Sequence, residues 1–472
     1  MLDAARNAPP RRAERRKPSE RWGQLGGLTP TARLNHIPAI QVRRQSSESH
    51  FMSTDKPASR IVSMDQFRGY TVVGMFLVNF VGQYVFMKKY LPFIPHGDGY
   101  FAYADTIMPS FIFCAGFSFR LTAIRRFAQS GTIDATLGYI RRSIALIGIS
   151  LVVFGVGKSF ATWGDFSTES VSNWLWELVK ADLWEVLSII GVCQILLLPV
   201  INRGFWTRLL AAFFLLALYV LINYSFGYNF QEGLVNWLNK YVGADGRRSW
   251  DGGFFGPIAW SIPMLAGTLA YDILMVRPPG SAMKLFLIVG TCLMTAGYGV
   301  SCLTRLYDRV EGASSATEGE HATEGEHATE GEHATDPVWP RAERWTSPGI
   351  GWAEPPFFAR APTEQRQLNF WMMYKRIVAP PFVLFSIGFA LLVYSLFIAG
   401  SDIGGVQSGL FKTFGQNPLA AYIIHEITML CFKPIAPKDC EWWWLAITFS
   451  AFFAVTWGAV KYLEKNKLYL RL

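Results

Sequence analysis

The sequence predicts an all-α polytopic membrane protein with about ten transmembrane helices in one bundle. Of the 472 residues, 51% are hydrophobic and 15% are aromatic, whereas only 17% are charged. The mean hydropathy of +0.21 is too high for an ordinary soluble enzyme of this length. Uncharged runs that approach or exceed the roughly 20 residues needed to cross the hydrocarbon core also recur along the chain.

The uncharged runs define the order of the predicted helices. The longer runs lie at residues 69–87, 252–271, 285–304, 377–401 and 442–460. Shorter runs become spans if their polar flanks reach the membrane interface, and they lie at residues 106–119, 143–157, 186–202, 209–231 and 413–424. We therefore expect the first seven helices over residues 60–304 and the last three over residues 377–472.

Residues 1–59 form a basic N-terminal tail. Within it, residues 1–51 carry ten Lys and Arg against four Asp and Glu, which gives +6 of the formal net charge of +9. The tail is rich in Arg, Pro and Ser and lacks an apolar region of signal-peptide length, so we expect disorder. Two interpretations stay open: translation starts at Met52, or the tail is a basic arm at an anionic membrane surface. Because the excess charge lies in this tail, we expect no nucleic-acid partner.

A low-complexity loop over residues 305–376 separates the two groups of helices. It contains three copies of ATEGEH, which begin at Ala316, Ala322 and Ala328. The Glu and Gly content leaves nothing to pack, so we expect this loop to be disordered. Its histidines lack a second set of ligands and a folded frame, which favours an expanded repeat over a metal site. We expect no metal.

The distribution of arginine predicts the orientation in the membrane. The stretch between the third and fourth spans holds Asp165, Glu169, Glu177 and Asp182 with few cations, which suits the outer face. The C-terminal KYLEKNKLYLRL is basic. We therefore expect both termini in the cytoplasm and the 305–376 loop outside. The turn after the second span, predicted to be cytoplasmic, carries Arg120, Arg125, Arg126, Arg141 and Arg142.

Histidine is scarce, which narrows the search for a reacting group. Of seven histidines, only His96 and His425 lie outside the tail and the repeats. His96 lies on the outer loop between the first two spans, where Gly97 and Gly99 allow a tight turn that could bring the imidazole over the bundle. An exposed loop histidine without a function is the alternative. Asp105 opens the second span, and capping of that helix alone would explain it.

Polar side chains within the apolar runs are further candidates. Asn79 lies inside a span in LVNFVG, where its amide either bonds a neighbouring helix or orients a substrate. Asp65 and Arg68 stand three residues apart in SMDQFRG, so they share a helix face. They form an interfacial ion pair, or Arg68 binds a phosphate with its planar guanidinium.

The segment NPLAAYIIHE combines a helix start with a histidine and a carboxylate. Asn417 followed by Pro418 predicts a helix N-terminus, which can attract an anion. His425 then lies roughly 12 Å along the helix, well inside the bilayer, next to Tyr422 and Glu426. A neutral histidine that joins two helices and a group on a reaction path both fit this position.

Four stretches occur in this order along the chain: RIVSMDQFRGYTVVGMFLVNFVG, YADTIMPSFIFCAGFSF, LWEVLSIIGVCQ and GQNPLAAYIIHE. Together they resemble the heparan-alpha-glucosaminide N-acetyltransferase family, a group of multi-spanning acetyltransferases with bacterial relatives. The resemblance implies that an acetyl group passes from cytosolic acetyl-CoA, a co-substrate, to a glucosamine amine across the membrane. It also implies that His96 is the catalytic histidine and that Asn79 is the family's span asparagine.

We expect a catalytic group of His96, Asn79 and Asp105. His96 would act as the base, and Asn79 would orient it or donate a hydrogen bond to the oxyanion. Direct transfer and an acetyl-histidine intermediate both stay open. The CoA phosphates would meet Arg68, its neighbour Asp65 and the helix start at Asn417.

Tyr422, His425 and Glu426 would line the path between the donor and the acceptor. The expected protein is an integral protein of the bacterial inner membrane, surrounded by lipid, and it acts on a small molecule or a glycan. Whether it forms a homo-oligomer stays open. Two other functions are the alternatives: a proton-coupled transporter that uses His425 and Glu426 as a relay, and an O-acyltransferase of an envelope glycan or lipid.

Overall fold

The computed structural model describes residues 61–96, 101–154, 162–226, 228, 250–302 and 370–470. Within these ranges every regular element is a helix, which confirms the all-α fold class. The basic tail and the ATEGEH repeats lie outside the described residues.

The helices of the first half precede residue 230. They are α1 Val62–Val81, α2 Val85–Tyr90, α3 Tyr103–Phe154, α4 Thr168–Glu177, α5 Val186–Ile201 and α6 Phe205–Phe226. The helices of the second half are α7 Gly256–Val276, α8 Pro279–Ser301, α9 Pro380–Phe397, α10 Gly409–Gln416, α11 Pro418–Phe432 and α12 Trp442–Lys465.

Six helices in the described part of the chain are long and apolar enough to cross a membrane, namely α3, α6, α7, α8, α9 and α12. They identify an integral membrane protein, but the expected count of about ten spans is not confirmed. Helices α5 and α11 have 16 and 15 residues, which is short of the roughly 20 that cross the hydrocarbon core. Helix α1 has 20 residues but is not one of the six, and its first turn carries the charged residue Asp65.

Helix α3 is a hairpin rather than one straight rod. Gly131 has φ 75° and ψ 175°, a conformation that interrupts the helix and that glycine adopts readily. The rings of Phe119 and Tyr139 lie 5.0 Å apart, whereas a straight helix would separate these positions by about 30 Å. The chain therefore reverses at Gly131, and the two arms of α3 correspond to the predicted runs at 106–119 and 143–157.

Close helix packing around α3 builds the core. The first arm of α3 contacts α7 at two glycines, where a Cβ atom on Gly116 would overlap the Met264 carbonyl and one on Gly267 would overlap the Phe113 carbonyl. Small residues of this kind let two helix backbones approach closely in a membrane. Helix α3 also packs on α5, and α8 packs on α9.

The end of the predicted outer loop belongs to the folded bundle. Residues 370–374 are buried, although the low-complexity loop predicted over residues 305–376 includes them. The Arg376 carbonyl accepts a 2.6 Å hydrogen bond from Gly252 N–H, and the Ile377 carbonyl accepts one of 2.7 Å from the Tyr219 hydroxyl. Residues 370–374 are buried because Phe370, Trp371 and their neighbours carry large apolar side chains that pack in the core.

Candidate functional site

His96 and Asp105 form a histidine–carboxylate pair at the start of α3. The Nδ1 atom of His96 lies 2.9 Å from Oδ1 of Asp105. The Asp105 side chain is only 5% exposed, while the His96 side chain is 46% exposed. The pair thus joins an accessible imidazole to a fixed carboxylate.

Asp105 is held in place by the helix that it opens. Its second oxygen, Oδ2, accepts a 2.9 Å hydrogen bond from the Ala102 N–H, so the predicted capping role is confirmed. With Oδ1 facing Nδ1, the proton of a neutral His96 lies on Nδ1, and Nε2 keeps its lone pair. No described residue bonds to Nε2. This arrangement leaves Nε2 available to accept a proton from a substrate.

A second ion pair lies within electrostatic range of the first. Lys375 Nζ lies 3.3 Å from Oδ1 of Asp251, and the two side chains are 12% and 3% exposed. The charges of His96 and Asp105 both act on Asp251. Burial of a charge is costly unless it is paired, so Asp251 and Lys375 each stabilise the other beside the His96–Asp105 pair.

The backbone that carries this ion pair is strained on both sides. Asp251 has φ 50°, and Val378, three residues after Lys375, has φ 49°. A positive φ is uncommon for any residue with a side chain and is an outlier for a β-branched one. Strain of this kind persists only where the surrounding fold imposes it, and it concentrates at functional sites. The two loops are joined by the bond from Gly252 to Arg376.

Glu185, just before α5, belongs to the same electrostatic group. Burial, followed by the negative charge of Asp251, raises the pKa of the Glu185 carboxyl, Lys375 partly offsets the effect, and the resulting pKa is about 7. The charge of Glu426 also raises it. A carboxyl with a pKa near neutrality can exchange a proton at physiological pH.

The second histidine, His425, is fully buried in α11. Its Nε2 atom lies 3.1 Å from Oε1 of Glu426 and 3.4 Å from Nδ2 of Asn79. Its ring stacks on Phe76 with a centroid distance of 4.8 Å. The structure therefore places Asn79 beside His425, and among the described residues it brings no Asn79 contact to His96.

The hydrogen bonds of His425 indicate its tautomer. Its Nδ1 atom lies 2.5 Å from the Tyr422 carbonyl, which can only accept, so Nδ1 carries a hydrogen. In the neutral ring, Nε2 then keeps its lone pair and can accept from the Asn79 amide at 3.4 Å. The Glu426 carboxyl lies next to the same nitrogen, with Oε1 at 3.1 Å.

An elongated cavity lies farther along the bundle, with a volume of about 450 Å³. Its wall runs along the first arm of α3 from Phe111 to Arg126, and α5 and the start of α11 close it. Three arginines face it. The remaining lining comes from Cys114, Ala115, Ser118, Phe119, Thr122, Leu146, Leu187, Ile190, Gln194, Gln416, Pro418, Leu419 and Leu470.

The three arginines are Arg68, Arg126 and Arg142, and each lies in the electrostatic range of another. Arg68 forms the predicted ion pair with Asp65 at 3.3 Å. In the described ranges, no carboxylate pairs with Arg126 or Arg142, and the buried Nε of Arg142 has no hydrogen-bond partner. Buried donors are normally satisfied, so this cluster has capacity for an anion.

Aromatic rings lead from the cavity toward His425. Phe111 lines the cavity and stacks on Tyr422 with a centroid distance of 6.4 Å. Tyr422 in turn contacts the His425 ring at 5.4 Å. Along α1, Arg68 and Asn79 are eleven residues apart, about 16 Å at 1.5 Å per residue. The arginine cluster and the histidines thus lie at different depths of one bundle.

Asn417 was expected to begin a helix whose N-terminus receives a phosphate, but its side chain bonds to another part of the chain. The helix does begin at Pro418, but the Asn417 side chain makes no capping bond and is 1% exposed. Its Nδ2 donates to the Leu468 carbonyl at 2.9 Å, and its Oδ1 accepts from Leu470 N–H at 3.1 Å. Its neighbours Gln416 and Pro418 line the cavity instead.

The family model for the catalytic region of heparan-alpha-glucosaminide N-acetyltransferase matches residues 60–296, which is half of the chain. The chain belongs to this family. No curated protein matches the sequence. The heparan-alpha-glucosaminide N-acetyltransferase match includes Arg68, Asn79, His96 and Asp105, whereas His425 lies beyond it.

Membership of the heparan-alpha-glucosaminide N-acetyltransferase family identifies a membrane acyltransferase of the acetyltransferase type. Sequence reasoning missed three charged residues that interact electrostatically near the His96–Asp105 pair, namely Glu185, Asp251 and Lys375. Single charged residues at the edges of apolar runs form no motif. The turn sequence DGG after Trp250 and the lone lysine in NFWMMYKR were the only local signals. In the described part of the chain, no group of three or more His, Cys, Asp and Glu residues could hold a metal ion.

Proposed function

We propose that the protein transfers an acetyl group from cytosolic acetyl-CoA to the amine of an amino sugar or glycan on the extracytoplasmic side of the membrane. The His96–Asp105 pair carries this proposal, because an accessible imidazole on a buried carboxylate is the arrangement that removes a proton from an incoming nucleophile. The family's acetyltransferase chemistry supports it.

The arginine cavity fits the donor. Acetyl-CoA, when bound, supplies an acetyl group that is already activated as a thioester. The guanidinium groups of Arg68, Arg126 and Arg142 would hold its phosphates, because planar guanidinium donors match phosphate oxygens. The unsatisfied Nε of Arg142 supports this assignment. The apolar wall from Phe111 and Leu187 suits a chain that carries few charges.

His96 serves as the base on the acceptor side. Nε2 accepts the proton that the acceptor amine loses as its nitrogen forms the amide bond with the acetyl carbon. The C–S bond of the thioester breaks in the same reaction, and CoA leaves as a thiolate that finally takes up this proton. Asp105 keeps the Nδ1 hydrogen in place and stabilises the positive charge that His96 then carries. Lys375 is paired with Asp251, on which the charges of His96 and Asp105 also act, and it can stabilise a developing oxyanion.

Asn79, Tyr422, His425 and Glu426 line the route between the two ends in this proposal. Asn79 orients His425, which is its hydrogen-bond partner. His425 and Glu426 lie 3.1 Å apart, so each has a polar partner inside the membrane. The ring contacts from Phe111 through Tyr422 provide an apolar passage beside them.

The proposed orientation follows the basic residues. Arg126 precedes the reversal at Gly131 and Arg142 follows it on the second arm of α3, and the positive-inside rule places a connection with such basic flanks in the cytoplasm. Cytosolic acetyl-CoA would then reach the arginine cavity directly. The N- and C-termini would lie on the same cytoplasmic side, in a bacterial inner membrane, and the His96 loop on the other.

Purified protein in detergent, incubated with acetyl-labelled CoA and a panel of glucosamine derivatives, tests this function. We expect label on the amine of at least one amino sugar and stoichiometric release of CoA. Label on a hydroxyl group instead would favour the O-acyltransferase alternative. If the protein neither binds CoA nor releases it, the acetyltransferase assignment fails, and proton uptake by proteoliposomes would then test the transporter.

A further inference from the structure

The short connection between α10 and α11 forms one edge of the arginine cavity. Gly415 contributes its carbonyl, which accepts a 3.1 Å hydrogen bond from Arg68 Nη1. The cavity is lined by Gln416 before Asn417 and by Pro418 and Leu419 after it. Asn417 itself is buried and points elsewhere, so its function must be exerted through another group.

That group is the chain that follows α12. Both polar atoms of the Asn417 side chain are used by backbone groups of this C-terminal segment, which comprises residues 466–470. The amide nitrogen donates to the Leu468 carbonyl, and the amide oxygen accepts from Leu470 N–H. Two bonds to alternate residues fix an extended chain in both position and register. Leu470 is also a cavity-lining residue.

The end of α12 turns the C-terminal segment toward Asn417. Lys467 has φ 56°. Its backbone N–H donates to the Glu464 carbonyl at 3.0 Å, and the Leu468 N–H donates to the Leu463 carbonyl at 2.9 Å. This pair of bonds with a left-handed residue is a Schellman motif, which ends a helix and redirects the chain. A lysine in place of the usual glycine makes the turn costly, so the contacts that follow must hold it.

We propose that Asn417 is a positioning residue for the donor: it holds residues 468–470 as a wall of the arginine cavity, and donor affinity depends on this wall. The inference rests on the proposed function, in which this cavity binds the CoA part of acetyl-CoA. Removal of the side chain frees two backbone groups of the segment. Leu470 then leaves the cavity edge beside Gln416 and Leu419.

The same region offers a matched control. Thr413 on α10 donates to Glu464 Oε2 at 2.6 Å, and Lys461 Nζ lies 2.9 Å from the same oxygen. These contacts also fasten α10 to the end of α12, but none of the three residues lines the cavity. Thr413→Val should therefore lower thermal stability without changing the affinity for CoA.

The test is a double-mutant cycle read out by isothermal titration calorimetry with CoA and by steady-state kinetics. It compares Asn417→Ala, deletion of residues 468–472, and both changes together. We expect each single change to weaken CoA binding about tenfold, or about 1.4 kcal/mol, and to raise the KM for acetyl-CoA by a similar factor. The kcat at saturating donor should stay within about twofold. The double variant should be no weaker than either single one.

Two results overturn the inference. Unchanged CoA affinity in Asn417→Ala shows that the wall is irrelevant, and additive losses in the double variant show that Asn417 acts on the donor independently of the segment. If the unmodified protein binds no CoA, the proposed function fails first. Hydrogen exchange at the Leu470 amide still reports on the clamp in that case, because the exchange must accelerate in Asn417→Ala and stay unchanged in Thr413→Val.

Discussion

His96 Nδ1 and Asp105 Oδ1 lie 2.9 Å apart, with the carboxylate buried and the imidazole accessible. The pair forms because Asp105 occupies the first turn of α3, where the Ala102 N–H holds its other oxygen. Asp105 therefore caps α3 and also orients His96, the candidate base. The geometry leads to direct predictions for both residues.

Replacement of His96 by alanine should reduce acetyl transfer by about 10²- to 10⁴-fold, the usual contribution of a general base. CoA binding should be nearly unchanged, because His96 does not line the arginine cavity. Transfer assays together with calorimetry on the same preparation check both points. Full activity in His96→Ala would move the base to His425.

Asp105→Asn should preserve the helix cap, because its amide oxygen can still accept from Ala102 N–H. Its amide can also donate to Nδ1, which would place the imidazole hydrogen on Nε2 and remove the base. We expect at least about a tenfold loss of kcat with little change in thermal stability. A loss of stability without a loss of kcat per folded molecule would assign Asp105 to capping alone.

Arg126→Gln and Arg142→Gln should each weaken CoA binding by about tenfold or more, because each removes a charged donor from the cavity. Arg125 and Arg141 are exposed neighbours that do not line the cavity, so their glutamine variants are matched controls. Calorimetry at two salt concentrations measures the affinity for CoA. In the Arg126→Gln and Arg142→Gln variants, this affinity should depend less on the salt concentration than in the unmodified protein. Equal losses in all four variants would indicate a general charge effect rather than a site.

Glu185→Gln should change how stability depends on pH. The folded-state pKa of Glu185 is raised from the ordinary 4.5 to about 7 by burial, so ionisation favours the unfolded chain. Its contribution to stability therefore falls as pH rises from about 4.5 to about 7 and is constant above that. The variant should match the unmodified protein near pH 4.5 and be increasingly more stable toward pH 7. Thermal unfolding in detergent measures the difference.

The exposed Glu169 on α4 provides the control for this prediction. Glu169→Gln should track the unmodified protein at every pH. A Glu185→Gln variant whose unfolding temperature differs by a constant amount across this range would contradict the raised pKa.

Deletion of residues 1–51, or of the ATEGEH repeats, should leave the specific activity unchanged, because low-complexity sequence of this kind has little apolar surface to pack. The measurement is the transfer assay on each deletion variant after purification. A large loss in either variant would show that the deleted segment contributes to the site.

The fold class and several site contacts were predictable because they rest on local patterns. The apolar runs predicted the helices, and the separation of three residues predicted the contact between Asp65 and Arg68. Proline after Asn417 gave the start of α11. The count of spans was less predictable, because α5 and α11 are shorter than the membrane core and α3 contains two arms.

Contacts between distant parts of the chain were beyond sequence reasoning. The partner of Asn417 lies about fifty residues away in the C-terminal segment, and that of Asn79 lies in α11, so neither could be read from spacing. Arg126 and Arg142 were counted as cytoplasmic charges, but only the reversal at Gly131 shows that they face one cavity. Asp251 and Lys375 meet only because residues 370–377 fold onto the turn before α7.

Transfer across a sealed membrane tests the central claim most directly. Proteoliposomes would contain glucosamine inside and receive acetyl-labelled CoA outside, with His96→Ala proteoliposomes as the control. The account predicts that label appears on the enclosed sugar, that unlabelled CoA stays outside, and that the His96→Ala protein gives neither. Label that reaches the sugar only when both substrates are on the same side of the membrane would contradict it.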